Sequence, residues 1–339
     1  MSKKTPISPL IIAGFLILVG LLYWFGEVWL RIVLLYLSTA VWAKTLVTHL
    51  PPARRVASRF IAGETVADVI HITRSQNQAG FSATLNFLGE HVHTAAEADV
   101  AREEILRLLD SIHQNGVNAN VSIKPSQLGL QLGEEVLYGN LKILLERARQ
   151  TDNKIRIDME DSGTVDTTLR LYQRLRDEDG YGRHVGIVVQ SYLYRTEKDV
   201  AQLAAAGAWV RLCKGAYAEP ASVAYPEKAD TDAAYINLMQ TMLSPEARQN
   251  GMYVGFATHD EKMIEATIEY ARKNDVPAAA FEFQMLYGIR RELQETLVAQ
   301  GYQMRVYIPY GTAWYSYFVR RLAERPANLW FFISNLLRG

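Results

Sequence analysis

The stretch Lys154-Ile-Arg-Ile-Asp158 is short, β-branched and bounded by polar residues, and after a helical stretch, Val165–Arg176, comes Val185-Gly-Ile-Val-Val-Gln190, a second run of the same kind. Outward from this strand–helix–strand unit the same rhythm repeats. Strands are expected at Ala83–Leu88, Ala119–Lys124, Lys154–Asp158, Val185–Gln190, Trp209–Lys214, Tyr253–Thr258, Phe281–Gln284 and Met304–Pro309. Amphipathic stretches such as Glu134–Arg149, Val165–Arg176, Glu197–Ala206, Glu261–Lys273 and Arg290–Gln300 separate them. Eight strand–helix units in roughly 250 residues is the size of a (β/α)₈, or TIM, barrel. The fold class is therefore α/β, a distorted barrel over about residues 60–326 behind an N-terminal helical, membrane-associated segment. A doubly wound sheet is the alternative, but the G-x-G-x-x-G turn such a sheet would carry does not occur.

Composition narrows the function. Of 339 residues, 49% are hydrophobic and 21% charged, which supports a large core and excludes wholesale disorder. Thirty-six basic and 36 acidic residues balance, so no basic face for nucleic acid is indicated. One cysteine, Cys213, excludes an internal disulfide framework and a multi-cysteine metal site, and its place inside a strand reads as core packing. Pro51-Pro52 followed by Arg54-Arg55 marks a boundary between an apolar segment, 1–52, and a catalytic domain, 53–339. No charge falls between Thr5 and Gly26, Ile11–Phe25 is almost continuously apolar, and Tyr23 and Trp24 suit an interfacial anchor. A retained membrane anchor is the expectation, with a cleaved signal peptide and a buried core helix as alternatives. Val28–Val47 would be a second span, an interfacial helix or a packed helix. The apolar run Leu329–Leu337 reads as packing against the barrel, with lipid docking as the alternative.

Barrel enzymes gather their chemistry at the C-terminal strand ends. Those ends offer Lys124, Asp158 with Met159 and Glu160, Gln190, Arg211 with Lys214, Thr258-His259-Asp260, Gln284 and Tyr307. In the last helix Tyr317, Arg320, Arg321 and Glu324 fall on neighbouring faces. Paired arginines can fork a carboxylate, and Glu324 with the tyrosines could receive an ammonium group, so an amino acid suits this set. The plain alternative is a solvated helix with an i,i+4 ion pair. His91-x-His93 invites a metal reading, but the cations of the later strands oppose one, and no metal is expected. A Schiff-base lysine at Lys124 or Lys214 and a non-catalytic protein that binds the amino acid without turning it over are the remaining alternatives.

Seven ordered motifs decide among these. They are Ser122–Leu130 (SIKPSQLGL), Arg156–Asp161 (RIDMED), Val189–Lys198 (VQSYLYRTEK), Arg211–Tyr217 (RLCKGAY), Phe256–Asp260 (FATHD), Phe281–Gly288 (FEFQMLYG) and Tyr307–Pro326 (YIPYGTAWYSYFVRRLAERP). Together they resemble the proline dehydrogenase family of flavoenzymes. The resemblance runs from about residue 55 to the C-terminus, is silent on the apolar segment, and includes no aldehyde dehydrogenase module, so the monofunctional bacterial type is implied. It implies FAD-dependent oxidation of L-proline to Δ1-pyrroline-5-carboxylate, with electrons passing to a membrane quinone as the first step of proline catabolism. The enzyme would be membrane-associated, its catalytic domain on the cytoplasmic face. Carried over to this sequence, the family pattern makes Asp158 and Arg211 catalytic. Lys124, Arg320 and Arg321 would bind the proline carboxylate. Leu286, Ala216, Tyr217, Tyr307, Tyr317 and Glu324 would wall its ring. FAD would be held by Met159, Gln190, Arg211, Lys214, Gly215, Ala216, Thr258 and His259.

Overall fold

A computed structural model describes residues 58–89 and 92–324, together with Tyr36 and Ala40; for 320–324 it describes the backbone course alone. Eight parallel strands close into a barrel in chain order: β1 Ser82–Phe87, β2 Ala119–Ile123, β3 Ile155–Ile157, β4 Val185–Gln190, β5 Trp209–Cys213, β6 Tyr253–Ala257, β7 Phe281–Leu286 and β8 Met304–Tyr310. Pairing of β1 with β8, from Ser82↔Arg305 to Phe87↔Tyr310, closes the ring. The expected strands are all present, with ends shifted by one or two residues; Gln284, expected to end its strand, lies two residues inside β7.

Ten α-helices are described: α1 Val66–Gln78, α2 Ala95–Asn115, α3 Glu134–Gln150, α4 Val165–Gln173, α5 Thr196–Ala205, α6 Lys228–Met242, α7 Pro245–Gln249, α8 Glu261–Lys273, α9 Arg291–Ala299 and α10 Trp314–Glu324. The helix expected through Arg176 keeps α geometry to Gln173 and finishes in a π turn, Arg174–Glu178. Thr65 and Thr94 start α1 and α2 with reciprocal capping boxes, closed by Asp68 and Glu97, and so satisfy otherwise orphaned backbone donors. The backbone N–H of His93 also donates to Glu97, 2.7 Å away, while His91 lies outside the described residues.

The strands alternate. Residues such as Leu85, Ile123, Ile157, Ile187, Leu212, Phe256, Phe283 and Ile308 are fully buried in the hydrophobic core. Their neighbours Ser122, Arg156, Asp158, Arg211, Glu282 and Gln284 are also buried, and hydrogen bonds joining Ser122, Asp158, Arg211, Gln284 and Glu282 show that these five meet inside the barrel. A typical barrel fills this space with branched apolar layers. Here it holds ions. Arg156 is wholly buried; its guanidinium stacks 3.8 Å from the centre of the Trp209 ring, and none of its nitrogens has a hydrogen-bond partner among the described residues. Burial pushes its pKa well below the usual arginine value.

The chain divides into two compact units, Arg59–Thr312 with the barrel, and Met1–Ser58 with Ala313–Gly339. In the second, Trp314 stacks edge-on with Tyr315 and with Phe318 one turn along α10, at 6.4 and 6.2 Å between ring centres. Among the described residues no helix is long and apolar enough to cross a membrane. The expected anchor, apart from Tyr36 and Ala40, and the run Leu329–Leu337 lie outside the described residues.

Candidate active site

Asp158 follows β3 directly and is the centre of the site. Its Oδ1 accepts from Ser122 Oγ at 2.6 Å and from Arg211 Nη1 at 2.7 Å. Oδ2 accepts from Tyr307 Oη at 2.9 Å and faces Lys124 Nζ at 3.7 Å. Side-chain exposure is 7% for Arg211 and 9% for Asp158, so this pair is desolvated. Burial pushes the Asp158 pKa up, but Arg211 and Lys124, with the Ser122 and Tyr307 hydroxyls, outweigh it and bring it below the usual carboxylate value. Asp158 is an anion at neutral pH, held by two cations.

Arg211 is fixed at two of its three nitrogens. Nε donates to Gln284 Oε1 at 2.6 Å, and Nη1 to Asp158 and, at 3.1 Å, to Ser122 Oγ. Its charge lies 5.1 Å from the centre of the Tyr307 ring. Nη2 is buried and has no hydrogen-bond partner among the described residues. A buried donor left unused costs about 1–3 kcal/mol, so this atom suits an acceptor brought by a bound molecule.

Around this centre the structure brings together several other expected residues. Lys214 pairs with Asp232 and, at 2.6 Å, with Asp260; Lys228 joins both carboxylates. Gln190 Nε2 donates to the carbonyl of Glu160 at 2.9 Å, and Glu160 in turn accepts from the Ser126 backbone and hydroxyl. His259 Nε2 accepts from the backbone N–H of Leu286 at 3.0 Å. Thr258 Oγ1 accepts from the Asp260 N–H, closing the turn that starts α8. Met159 is buried, whereas Ala216 and Tyr217 are exposed on the loop after β5. Gly215 starts that loop at φ +118°, and a Cβ there would lie 2.4 Å from the Tyr192 ring, so only glycine fits. Cys213 is half-buried and packs against the core with Sγ 3.5 Å from the Val189 carbonyl, and burial raises its pKa to about 11. Tyr317 lies on α10 in the second unit, and the side chains of Arg320, Arg321 and Glu324 are outside the described residues.

The sequence reading passed over Ser122 as a ligand of Asp158, and over Glu282, Arg305 and Asp232. A signal existed for Glu282. In Phe-Glu-Phe-Gln the polar residues alternate with aromatics, which puts Glu282 and Gln284 on one face of β7.

The acidic cluster has a testable consequence. Burial raises the Asp260 pKa, but Lys214 and Lys228 overcome it and lower it to about 2. The native value lies below the unfolded value of about 3.9, so ionised Asp260 stabilises the fold fully above pH ~4 and progressively less as pH falls toward 2. Asp260→Asn keeps the α8 cap, since asparagine also caps helices. Denaturant titrations should show the two proteins converging in stability as pH falls from about 4 to 2. A constant difference across that range would show that Asp260 is not the titrating group.

A closed parallel barrel whose C-terminal mouth holds a buried acid between a lysine and an arginine defines a barrel enzyme acting on a small polar substrate. Comparison with known proteins makes this specific. Residues 69–333 match the family model described as proline dehydrogenase. The chain is 39% identical to proline dehydrogenase 1 of Bacillus subtilis strain 168, over 83% of this chain and 91% of that one. It is 40% identical to proline dehydrogenase of Deinococcus radiodurans, over 84% and 91%. Proline utilization A (PutA) from Bdellovibrio bacteriovorus, inactivated by N-propargylglycine, superposes with a TM-score of 0.75 at 26% identity, covering 80% of this chain and 33% of that one. The chain thus spans about a third of that longer protein. It belongs to the proline dehydrogenase family, and it is an oxidoreductase of proline catabolism.

Proposed function

We propose that the barrel mouth binds FAD and oxidises L-proline to Δ1-pyrroline-5-carboxylate, with a membrane quinone reduced to the quinol. The carrying observation is the buried, unpartnered Nη2 of Arg211 beside an ionised Asp158. A cation with one donor to spare fits a cofactor ring that becomes electron-rich on reduction. Bound FAD would supply the two-electron acceptor. Gln190, Lys214, Gly215, Ala216, Thr258, His259, Met159 and Arg211 would hold it, with the Lys214 cation suited to a phosphate-bearing group.

The remaining work belongs to the chain. Lys124, Arg320 and Arg321 would bind the proline carboxylate, fixing the ring in a reactive pose. Leu286, Tyr307, Tyr217, Tyr317, Ala216 and Glu324 would wall that ring. The amine must shed its proton before its C–H bond is oxidised, and surrounding cations favour the neutral amine. Asp158 orients Arg211, Lys124 and Tyr307, all of which converge on its two oxygens. For the acceptor, the uncharged run from Thr5 to Gly26 supports placement at the membrane, with the barrel on its cytoplasmic face.

The deciding experiment is the visible spectrum of purified protein before and after L-proline. A yellow protein that bleaches with proline and recolours with quinone supports the reading; a colourless protein that does not turn over proline ends it. Arg320→Met and Arg321→Met should each raise KM for proline roughly 10- to 100-fold, because charge-assisted bonds are worth about 1.5–3 kcal/mol. Unchanged KM in both variants would remove the carboxylate clamp.

A further inference from the structure

We propose that Gln284 is a positioning residue that sets the plane of the Arg211 guanidinium, with Glu282 fixing the direction of its amide and Gly255 clearing its path. The inference rests on the reading that Arg211 lies against the flavin.

Gln284 stands on β7 and Arg211 on β5, with β6 between them. A side chain bridging them must pass over the inner face of β6. The residue of β6 in register with both Arg211 and Glu282 is Gly255. A Cβ there would lie 2.1 Å from Gln284 Nε2 and 2.6 Å from its Cδ. Gly255 is absent from the positive-φ glycines, so its backbone does not require glycine. Clearance for the Gln284 amide does.

The amide direction is also determined. Oε1 accepts from Arg211 Nε at 2.6 Å, and Nε2 donates to Glu282 Oε1 at 2.6 Å. That carboxylate oxygen also accepts from Arg305 Nε at 2.8 Å, and Arg305 Nη1 donates to the Ala83 carbonyl at 2.7 Å. Reversing the amide would set donor against donor at Arg211 and acceptor against acceptor at Glu282. One orientation remains. With Nε held by Gln284 and Nη1 by Asp158, the planar guanidinium has no freedom left, and the direction of Nη2 follows.

The test compares the full-length, flavin-loaded wild type with Gln284→Met, Gly255→Ala and the double variant. Each single variant should slow proline-driven bleaching roughly tenfold or more and make the flavin midpoint potential more negative, with KM for proline little changed. The double variant should be no slower than the slower single, because both changes remove the same contact. Gln284→Glu, which still offers Nε an acceptor, should recover rate over Gln284→Met even though its second oxygen faces the Glu282 carboxylate and lowers the melting temperature. Should Gly255→Ala not fold, the Met and Glu variants decide the matter alone. Multiplying losses in the double variant, wild-type bleaching in Gln284→Met, or lowered melting temperatures with an unmoved potential would overturn the inference. A colourless wild type would overturn the FAD reading and this inference with it, whereas a yellow wild type with unaffected variants would overturn this inference alone.

Discussion

Arg211→Met is expected to slow proline oxidation by roughly 100- to 1,000-fold, the usual cost of removing a preorganised charge from the reacting centre. It should also destabilise the fold, because Asp158 would stay buried without its closest cation. Breaking a buried pair from one side costs about 3–5 kcal/mol. The two effects separate with pH. Without Arg211, burial of Asp158 is opposed by Lys124 and two hydroxyls alone, so its pKa should rise above the wild-type value. A native pKa above the wild-type value means that the variant takes up its proton at higher pH than wild type, so its stability deficit should shrink as pH is lowered through the acid range. Single-turnover bleaching measures the rate and urea midpoints across that range measure the deficit. A deficit that does not depend on pH would mean that Asp158 remains an anion without its arginine.

Glu282→Ala is expected to destabilise the barrel strongly. Glu282 is 1% exposed, and one oxygen takes bonds from both Arg305 and Gln284, while the other lies 3.4 Å from Tyr253 Oη. Inside the barrel the guanidinium groups of Arg156, Arg211 and Arg305 meet the carboxylates of Asp158 and Glu282, with Lys124 and Lys154 close by, so removing one acid leaves the cations in larger excess. Burial raises the Glu282 pKa, but Arg305 and Arg156, with Gln284, bring it below the usual value, so it is charged and needed as such. A loss of about 3–5 kcal/mol follows from unpairing a buried ion. Glu282→Ala with Arg305→Met should regain much of that loss, since the unpaired cation goes too. Calorimetric melting of wild type, both singles and the double measures the coupling; additive losses would show that Arg305 does not depend on Glu282.

Both variants concern polar residues placed where a barrel normally packs aliphatic ones, and this bears on what the chain alone could reveal. Ile-Arg-Ile-Asp at 155–158 and Phe-Glu-Phe-Gln at 281–284 show their alternation directly, because successive strand residues point to opposite sides. Eight such runs with helical stretches between them leave few alternatives to a closed parallel barrel. The same logic puts Lys124, Asp158, Gln190, Lys214 and His259 near one mouth, since strand ends of a barrel share a rim.

Partners were another matter. That Ser122, Tyr307, Lys124 and Arg211 all converge on Asp158 depends on the ring's closure and on residue-by-residue register between segments as far apart as 149 positions. Gly255 carries no signal in the sequence beyond lying in an expected strand, and its purpose appears once Gln284 is seen lying across it. The periodicity of this sequence determined that a barrel forms and which residues line it, because strand alternation is a local property of the backbone. Which of those residues touch, which charges pair and which donor is left for a ligand were decided by tertiary structure alone, because each is a distance between segments that meet when the ring closes.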